Sequence, residues 1–132
     1  MAETNDLTSE DKRLLSVCWD ALEDTKAIDI KVLDISRQSS ITNFMFLATA
    51  NSNPHLRALK RELDQALKSE KVNIVGIDDN PETGWSVVDA FDVMIHLFTP
   101  EMRETYNLEA LWKDAVEIER PDIFVDQEDK SA

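Results

Sequence analysis

The sequence predicts an α/β domain, a mixed five-stranded sheet flanked by helices, over residues 8–116. Three observations carry this. Period-2 apolar patterns alternate along the chain with helical ones. Short polar links join some strand segments as antiparallel pairs, whereas a long helical segment spans another pair. At 132 residues with 42% hydrophobic side chains, the chain is one domain with enough apolar material for a core.

Residues 1–7 read as loose. Thr8 caps the first helix, with Asp11 at the reciprocal position of a capping box. Leu14, Cys18 and Ala21, beside Leu15 and Leu22, form its apolar stripe. Lys26 to Ser36 reads as a strand in which Ile28, Ile30 and Val32 share a face and Asp29 and Lys31 oppose them. Ser36 to Asn43 is a polar turn. Phe44 to Ala50 is a nearly unbroken apolar run, the signature of a central strand. Asn53-Pro54 marks the next helix, a capping side chain before proline at the first helical position. Its apolar face carries Leu56, Leu59, Leu63, Ala66 and Leu67. Val72 to Ile77 reads as a short strand and Asp78 to Thr83 as a polar loop. Trp85 to Val88 and Val93 to Phe98 are strands around a very short connection, the second apolar on both faces. Thr99-Pro100 opens one short helix and Asn107 caps another, packed through Leu108, Leu111, Trp112 and Ala115. Residues 117–132 are acidic with little apolar pattern beyond Ile123, Phe124 and Val125, and read as a mobile tail.

The resulting order, α-β-β-α-β-β-β-α-α, is nucleotidyltransferase-like. Fourteen basic against 27 acidic residues leave a net charge of −13. That field repels phosphate backbones and anionic membranes; it either suits a basic protein as partner or merely keeps the chain in solution. The single cysteine, Cys18, excludes an internal disulfide and fits a reducing cytoplasm. No apolar run approaches the roughly 20 residues that span a bilayer. The N-terminal stretch reads as neither a secretory signal nor a transit peptide. With two glycines, Gly76 and Gly84, the chain lacks a glycine-rich phosphate cradle.

Candidate chemistry is sparse. Asp89 and Asp92 flank a turn and are the obvious carboxylate pair for Mg²⁺ in a nucleotidyl-transferase-like enzyme. Such an enzyme needs a further carboxylate and a phosphate-binding element, and neither has a recognisable counterpart. The bland reading is that the two aspartates cap the turn or pair with basic groups. His96 alternates with Met94 and Phe98 and reads as a hydrogen-bonded core residue. His55 lies in a first helical turn beside Arg57, exposed, either as a surface contact or without a role. Cys18 packs as a small hydrophobe. Arg57, Lys60 and Arg61 share a helix side, either an anchor for an acidic group or a solvated face. Trp85 opens a strand after a polar loop. It reads either as core or as the kind of aromatic anchor enriched at binding hot spots. No nucleophile–base–orienter set can be assembled.

From Ile28 to Ala115, about two-thirds of the chain, the sequence resembles the ribosomal silencing factor family, the Iojap-like proteins. The resemblance runs through Ile30 to Asp34, then Ser39-Ser40-Ile41-Thr42, Phe44 to Thr49, and Ser52 to Leu59 with His55 and Arg57. Its best-marked block is Gly84-Trp85, Asp89, Asp92-Val93 and His96-Leu97-Phe98. Pro100-Glu101, Arg103, Tyr106, Leu108-Glu109 and Leu111-Trp112 close it. Each motif alone is weak, but their order and spacing are specific. Phe91 stands where the family usually has glycine, and Asn43 where it usually has aspartate. The resemblance implies a protein that binds the large ribosomal subunit through its fourteenth ribosomal protein, a basic protein at the subunit-joining surface. It would block the small subunit sterically and repress translation when nutrients fall. Trp85 resembles a contact to that partner, with His55 and Arg57 on the same surface. The resemblance implies no cofactor, no metal and no catalysis, and some members form homodimers. The acidic charge agrees with a basic partner on an RNA-rich particle.

Overall fold

In a computed structural model the chain is described over residues 7–37, 39, 42–80, 83–90 and 92–124, with only the backbone course for 78–80. The elements are α1 (Ser9–Asp24), β1 (Ile28–Asp34), β2 (Phe44–Thr49), α2 (Asn53–Ser69), β3 (Gly76–Asn80), β4 (Trp85–Asp89), β5 (Val93–Phe98), α3 (Pro100–Thr105), α4 (Leu108–Leu111) and β6 (Val116–Glu117). They build one mixed sheet of six strands in the order β3-β4-β5-β2-β1-β6. Only β2 and β5 run parallel, since α2 lies in the connection between them, and every other neighbour is antiparallel. The mixed sheet and its flanking helices are as the sequence predicts.

The helix starts follow from their caps. The Thr8 hydroxyl accepts from the Asp11 amide at 3.0 Å, and the Asp11 carboxylate accepts from the Thr8 amide at 3.2 Å. For α2 the cap is Ser52 rather than Asn53: its hydroxyl accepts from the His55 amide at 3.2 Å, and Pro54 sits in the first turn. The amide of Lys71 that follows α2 belongs to a left-handed residue (φ 62°), and Val72 donates back to Leu67 at 2.9 Å. Leu15, Cys18 and Leu22 of α1 and Leu56, Leu59, Leu63 and Leu67 of α2 are fully buried against Val32, Phe46, Ala48, Val88, Val93, Ile95 and Leu97. Each such leucine contributes about 1.5–3 kcal/mol of burial. The other face of the sheet is covered differently. Met102, Leu108, Trp112 and Ala115 lie over Leu33, Ile35, Met45, Leu47 and Phe98, which are strand or strand-end residues of β1, β2 and β5. Towards β4 this cover gives out, and Trp85, Val87, Asp89 and Met94 are half-exposed.

Four expectations are corrected. β1 does not alternate from Ile28. Asp29 adopts φ 55° and the pairing with β2 shifts between Ile28 and Lys31, so Ile28 is 46% exposed. β3 lies at 76–80 rather than 72–77, because Val72 closes the end of α2 while Ile74 packs partly against the core. The polar stretch beginning at Asp78 therefore enters the ladder, which an edge strand permits since its pairing runs through backbone groups. The sheet has six strands because the chain does not stop at 116. β6 pairs with β1, and beyond it Ile118 and Ile123 are 2% and 0% exposed, so residues 117–124 pack on the domain instead of trailing from it. The acidic composition of this segment hides Ile118, which with Ile123 anchors it. Residues 1–6, Ser40, Ile41, Phe91 and 125–132, on which the remaining expectations for ends, turn and motif fall, lie outside the described residues. At the turn itself, Ala90 donates to the Val93 carbonyl at 2.9 Å.

Candidate functional site

Gly84 sets the entry to the site. Its φ is 82°, and its carbonyl accepts from the Thr99 amide at 2.9 Å, tying the start of β4 to the start of α3. A Cβ there would meet the Thr99 hydroxyl at 2.6 Å and Met102 Cγ at 2.9 Å. Gly84→Ala is therefore expected to destabilise the protein by about 1–3 kcal/mol, from left-handed backbone and steric conflict together. A lowered denaturation midpoint at unchanged m-value checks this.

Trp85 follows, on the sheet face opposite α1 and α2. It is half-buried and belongs to an aromatic group. Its ring centroid lies 5.3 Å from Phe98, 5.9 Å from His96 and 4.8 Å from Tyr106. The indole N–H donates to His96 Nδ1 at 3.1 Å. That bond requires an unprotonated Nδ1, so the imidazole proton sits on Nε2. Nε2 is buried without a hydrogen-bond partner among the described residues. Burial pushes the His96 pKa down to about 4, so the ring is neutral at physiological pH. Sequence reasoning placed His96 in the core correctly and left Trp85 open between core and contact. In the structure Trp85 is half-buried, packed against Phe98 and His96 and still partly accessible. Tyr106, which the sequence marks only as part of the closing motif, is 46% exposed, and its ring lies against Trp85 at a tilt of 34°. Twenty-one positions separate the two in sequence, and only the closure of α3 over the sheet brings them together.

His55 and Arg57 stand elsewhere. Both are on α2, across the sheet from Trp85. His55 is half-buried rather than exposed: Nδ1 accepts from the Asn51 amide at 2.9 Å and Nε2 donates to the Thr25 carbonyl at 2.7 Å. Both ring nitrogens thus serve to join the end of α1 to the start of α2. Arg57 is exposed on the outer side of the same helix.

The two aspartates lie at either end of the β4–β5 turn. Asp89 is half-buried at the end of β4. Asp92 is exposed in the turn, where its carbonyl accepts from the Asn43 and Phe44 amides at 3.1 and 3.0 Å. Among the described residues no group of three or more His, Cys, Asp or Glu side chains is placed to hold a metal ion. Burial raises the Cys18 thiol to about 12, which makes it inert as a nucleophile, in keeping with its packing role. No helix among the described residues is long and apolar enough to cross a membrane.

Comparison with known proteins shows the family. The family described as "Ribosomal silencing factor during starvation" matches residues 8–132. Ribosomal silencing factor RsfS of Zymomonas mobilis is 32% identical over 117 residues, covering 89% of this chain and 88% of the relative. The mouse protein named "Mitochondrial assembly of ribosomal large subunit protein 1" is 33% identical over 94 residues, which cover 69% of this chain and 41% of that protein. A crystal structure from Chromobacterium violaceum superposes with a TM-score of 0.74 at 38% identity, covering 76% of this chain and 84% of the other. The family is regulatory and ribosome-associated, not enzymatic. With the mixed sheet, the Gly84-Trp85 entry and this match along nearly the whole chain, the protein belongs to the ribosomal silencing factor family.

Proposed function

We propose that this protein binds the large ribosomal subunit through its basic fourteenth ribosomal protein and sterically blocks joining of the small subunit, repressing translation in the cytoplasm when nutrients are limiting. The observation that carries the reading is the half-exposed Trp85, packed at a tilt against the exposed Tyr106, at the margin of the sheet face where the helical cover ends. An aromatic pair held rigid by its own contacts is the type of anchor that dominates binding energy. Half-exposed Val87, Met94 and Asp89 continue the surface with two apolar groups and a carboxylate. The net charge of −13 supports a basic protein rather than RNA as the direct contact. The name of the mouse relative, which refers to the large subunit, supports the choice of subunit. Arg57 belongs to this surface less readily than Trp85, since it lies on α2 across the sheet. His55 belongs less still, because its ring is fully engaged within the fold. Self-association, which the resemblance also implies, would compete with binding if it used the Trp85 face.

Sedimentation with purified large and small subunits tests this. The protein is expected to pellet with the large subunit alone, and to be released by an excess of the isolated fourteenth protein. Recovery in the supernatant at saturating subunit concentration would contradict the reading.

A further inference from the structure

Tyr106 ends α3, a helix of six residues with no side-chain cap and no fully buried residue. Such a helix does not hold its own position, because helices this short are marginal without tertiary support. Yet α3 is what sets Tyr106 on Trp85. Beyond the Thr99–Gly84 bond at its start and the packing of Met102, one side chain ties it down. Arg103 is three residues before Tyr106, and its side chain is only 10% exposed. One terminal nitrogen donates to the Asp29 carbonyl at 2.7 Å and to the Thr49 hydroxyl at 2.9 Å. Nε and the other terminal nitrogen donate to the two Glu109 carboxylate oxygens at 3.3 and 3.4 Å. The second of these nitrogens also lies 3.7 Å from the Asp29 carboxylate. The fork thus joins α3 to β1, β2 and α4 at once, and Lys31 of β1 reaches Glu109 at 2.7 Å to close the joint.

Two features show that the joint is built in. The shift in β1 takes Asp29 out of the ladder with β2, with φ 55°, and its carbonyl is then available to Arg103. At Glu109, burial works to raise the carboxyl pKa, but the hydrogen bonds from Lys31 and Arg103 outweigh it and hold it below the ordinary value. The groove in which Arg103 lies, about 480 Å³ between Ile28, Thr49, Pro100 and Asn107, is not read as a ligand site, because the guanidinium is already committed along all its edges.

We propose that Arg103 is the positioning residue of the docking surface: it locks α3 and α4 to the sheet so that Tyr106 lies over Trp85 in the geometry the ribosomal partner meets. Arg103 does not touch the partner. Lysine cannot replace it, because a single ammonium cannot span acceptors on three elements. The inference rests on the binding function proposed above, but the geometry can be tested apart from it.

The experiment uses the full chain labelled with 5-fluorotryptophan, whose three tryptophan ¹⁹F signals are assigned by Trp→Phe changes. In Arg103→Lys the Trp85 signal is expected to move or broaden, while that of Trp19, on the opposite layer, stays in place. Affinity for the large subunit is expected to fall at least tenfold at temperatures where the variant is folded. In a Tyr106→Ala background the same change should cost at most about twofold, because the residue being positioned is gone. If Arg103→Lys does not fold, Glu109→Gln loosens the joint from its other side and should give the same pattern. A folded variant with an unmoved Trp85 signal overturns the proposal, as does a binding loss of the same size with and without Tyr106. If the wild-type chain does not bind the subunit, the function proposed above fails, and the Trp85 signal alone then decides the role of Arg103.

Discussion

Trp85→Ala is expected to weaken binding to the large subunit by about thirty-fold to several-hundred-fold, the equivalent of roughly 2–4 kcal/mol for an aromatic anchor. The same change should cost stability. The ring packs on Phe98 and His96, and its N–H holds His96 Nδ1, so a loss of about 2 kcal/mol is expected, below the 3–5 of a fully buried aromatic. Trp85 alone therefore cannot separate a contact from a core residue. Tyr106→Ala can. Tyr106 is 46% exposed, so its removal should change stability by about 1 kcal/mol or less and still weaken binding about tenfold or more. Trp85→Phe keeps the stacked ring and should lie between. Urea unfolding gives the stability of each variant and quantitative sedimentation its affinity. Folded Tyr106→Ala and Trp85→Phe that both bind at wild-type strength would remove the aromatic pair from the site.

The second large effect is one of pH. In the folded protein His96 has a pKa of about 4 against an ordinary value of 6.5, because burial disfavours the charged ring. Above pH 6.5 the ring is neutral in both folded and unfolded chains, and it contributes no pH dependence. Between pH 6.5 and 4 only the unfolded chain takes up the proton. Stability therefore falls as pH falls through that window, by up to roughly 3 kcal/mol in all. Protonation of the folded ring, which comes only as pH approaches about 4, would also set an N–H of the ring against the indole N–H of Trp85, so the aromatic group should loosen there and not higher in the window. The depressed carboxyls of Glu70 and Glu109 add losses of the same sign at lower pH, and the raised Asp20 opposes them. His96→Asn isolates the histidine, since its side-chain oxygen stands near the place of Nδ1 and does not titrate there. Urea unfolding at pH 7, 6, 5 and 4.5 should give a shallower slope for the variant than for the wild type. Equal slopes would mean that His96 is not the group responsible.

Much of the fold could be read from the sequence because it is written in local terms. The capping box at Thr8, the leucine stripe of α2 and the unbroken run of β2 each state their own structure. What was not legible is what depends on partners far away in the chain. The strand at 76–80 carries polar residues and qualifies as a strand only because β4 pairs with it. Val116 and Glu117 make too short a segment to register until β1 offers its edge. The same holds for the site. Trp85 could be picked out from its place at a strand start, and the resemblance raised it further. Its stacking on Tyr106, its bond to His96 and the Arg103 joint all arise from α3 folding back over the sheet, and no spacing rule states that. His55 shows the opposite case. Its place in a first helical turn reads as exposed, but the residue is half-buried, with both nitrogens bonded to neighbouring backbone groups.

The proposed occlusion is concentration-dependent, since a protein acting in this way competes with the small subunit for a free surface. Light scattering during the mixing of purified large and small subunits measures that competition directly. Pre-incubation of large subunits with increasing protein is expected to lower the joining amplitude progressively to near zero, whereas addition to preformed subunit pairs should have little effect. Tyr106→Ala should need about tenfold more protein for the same inhibition. Subunit joining that proceeds unchanged at saturating wild-type protein would contradict the account.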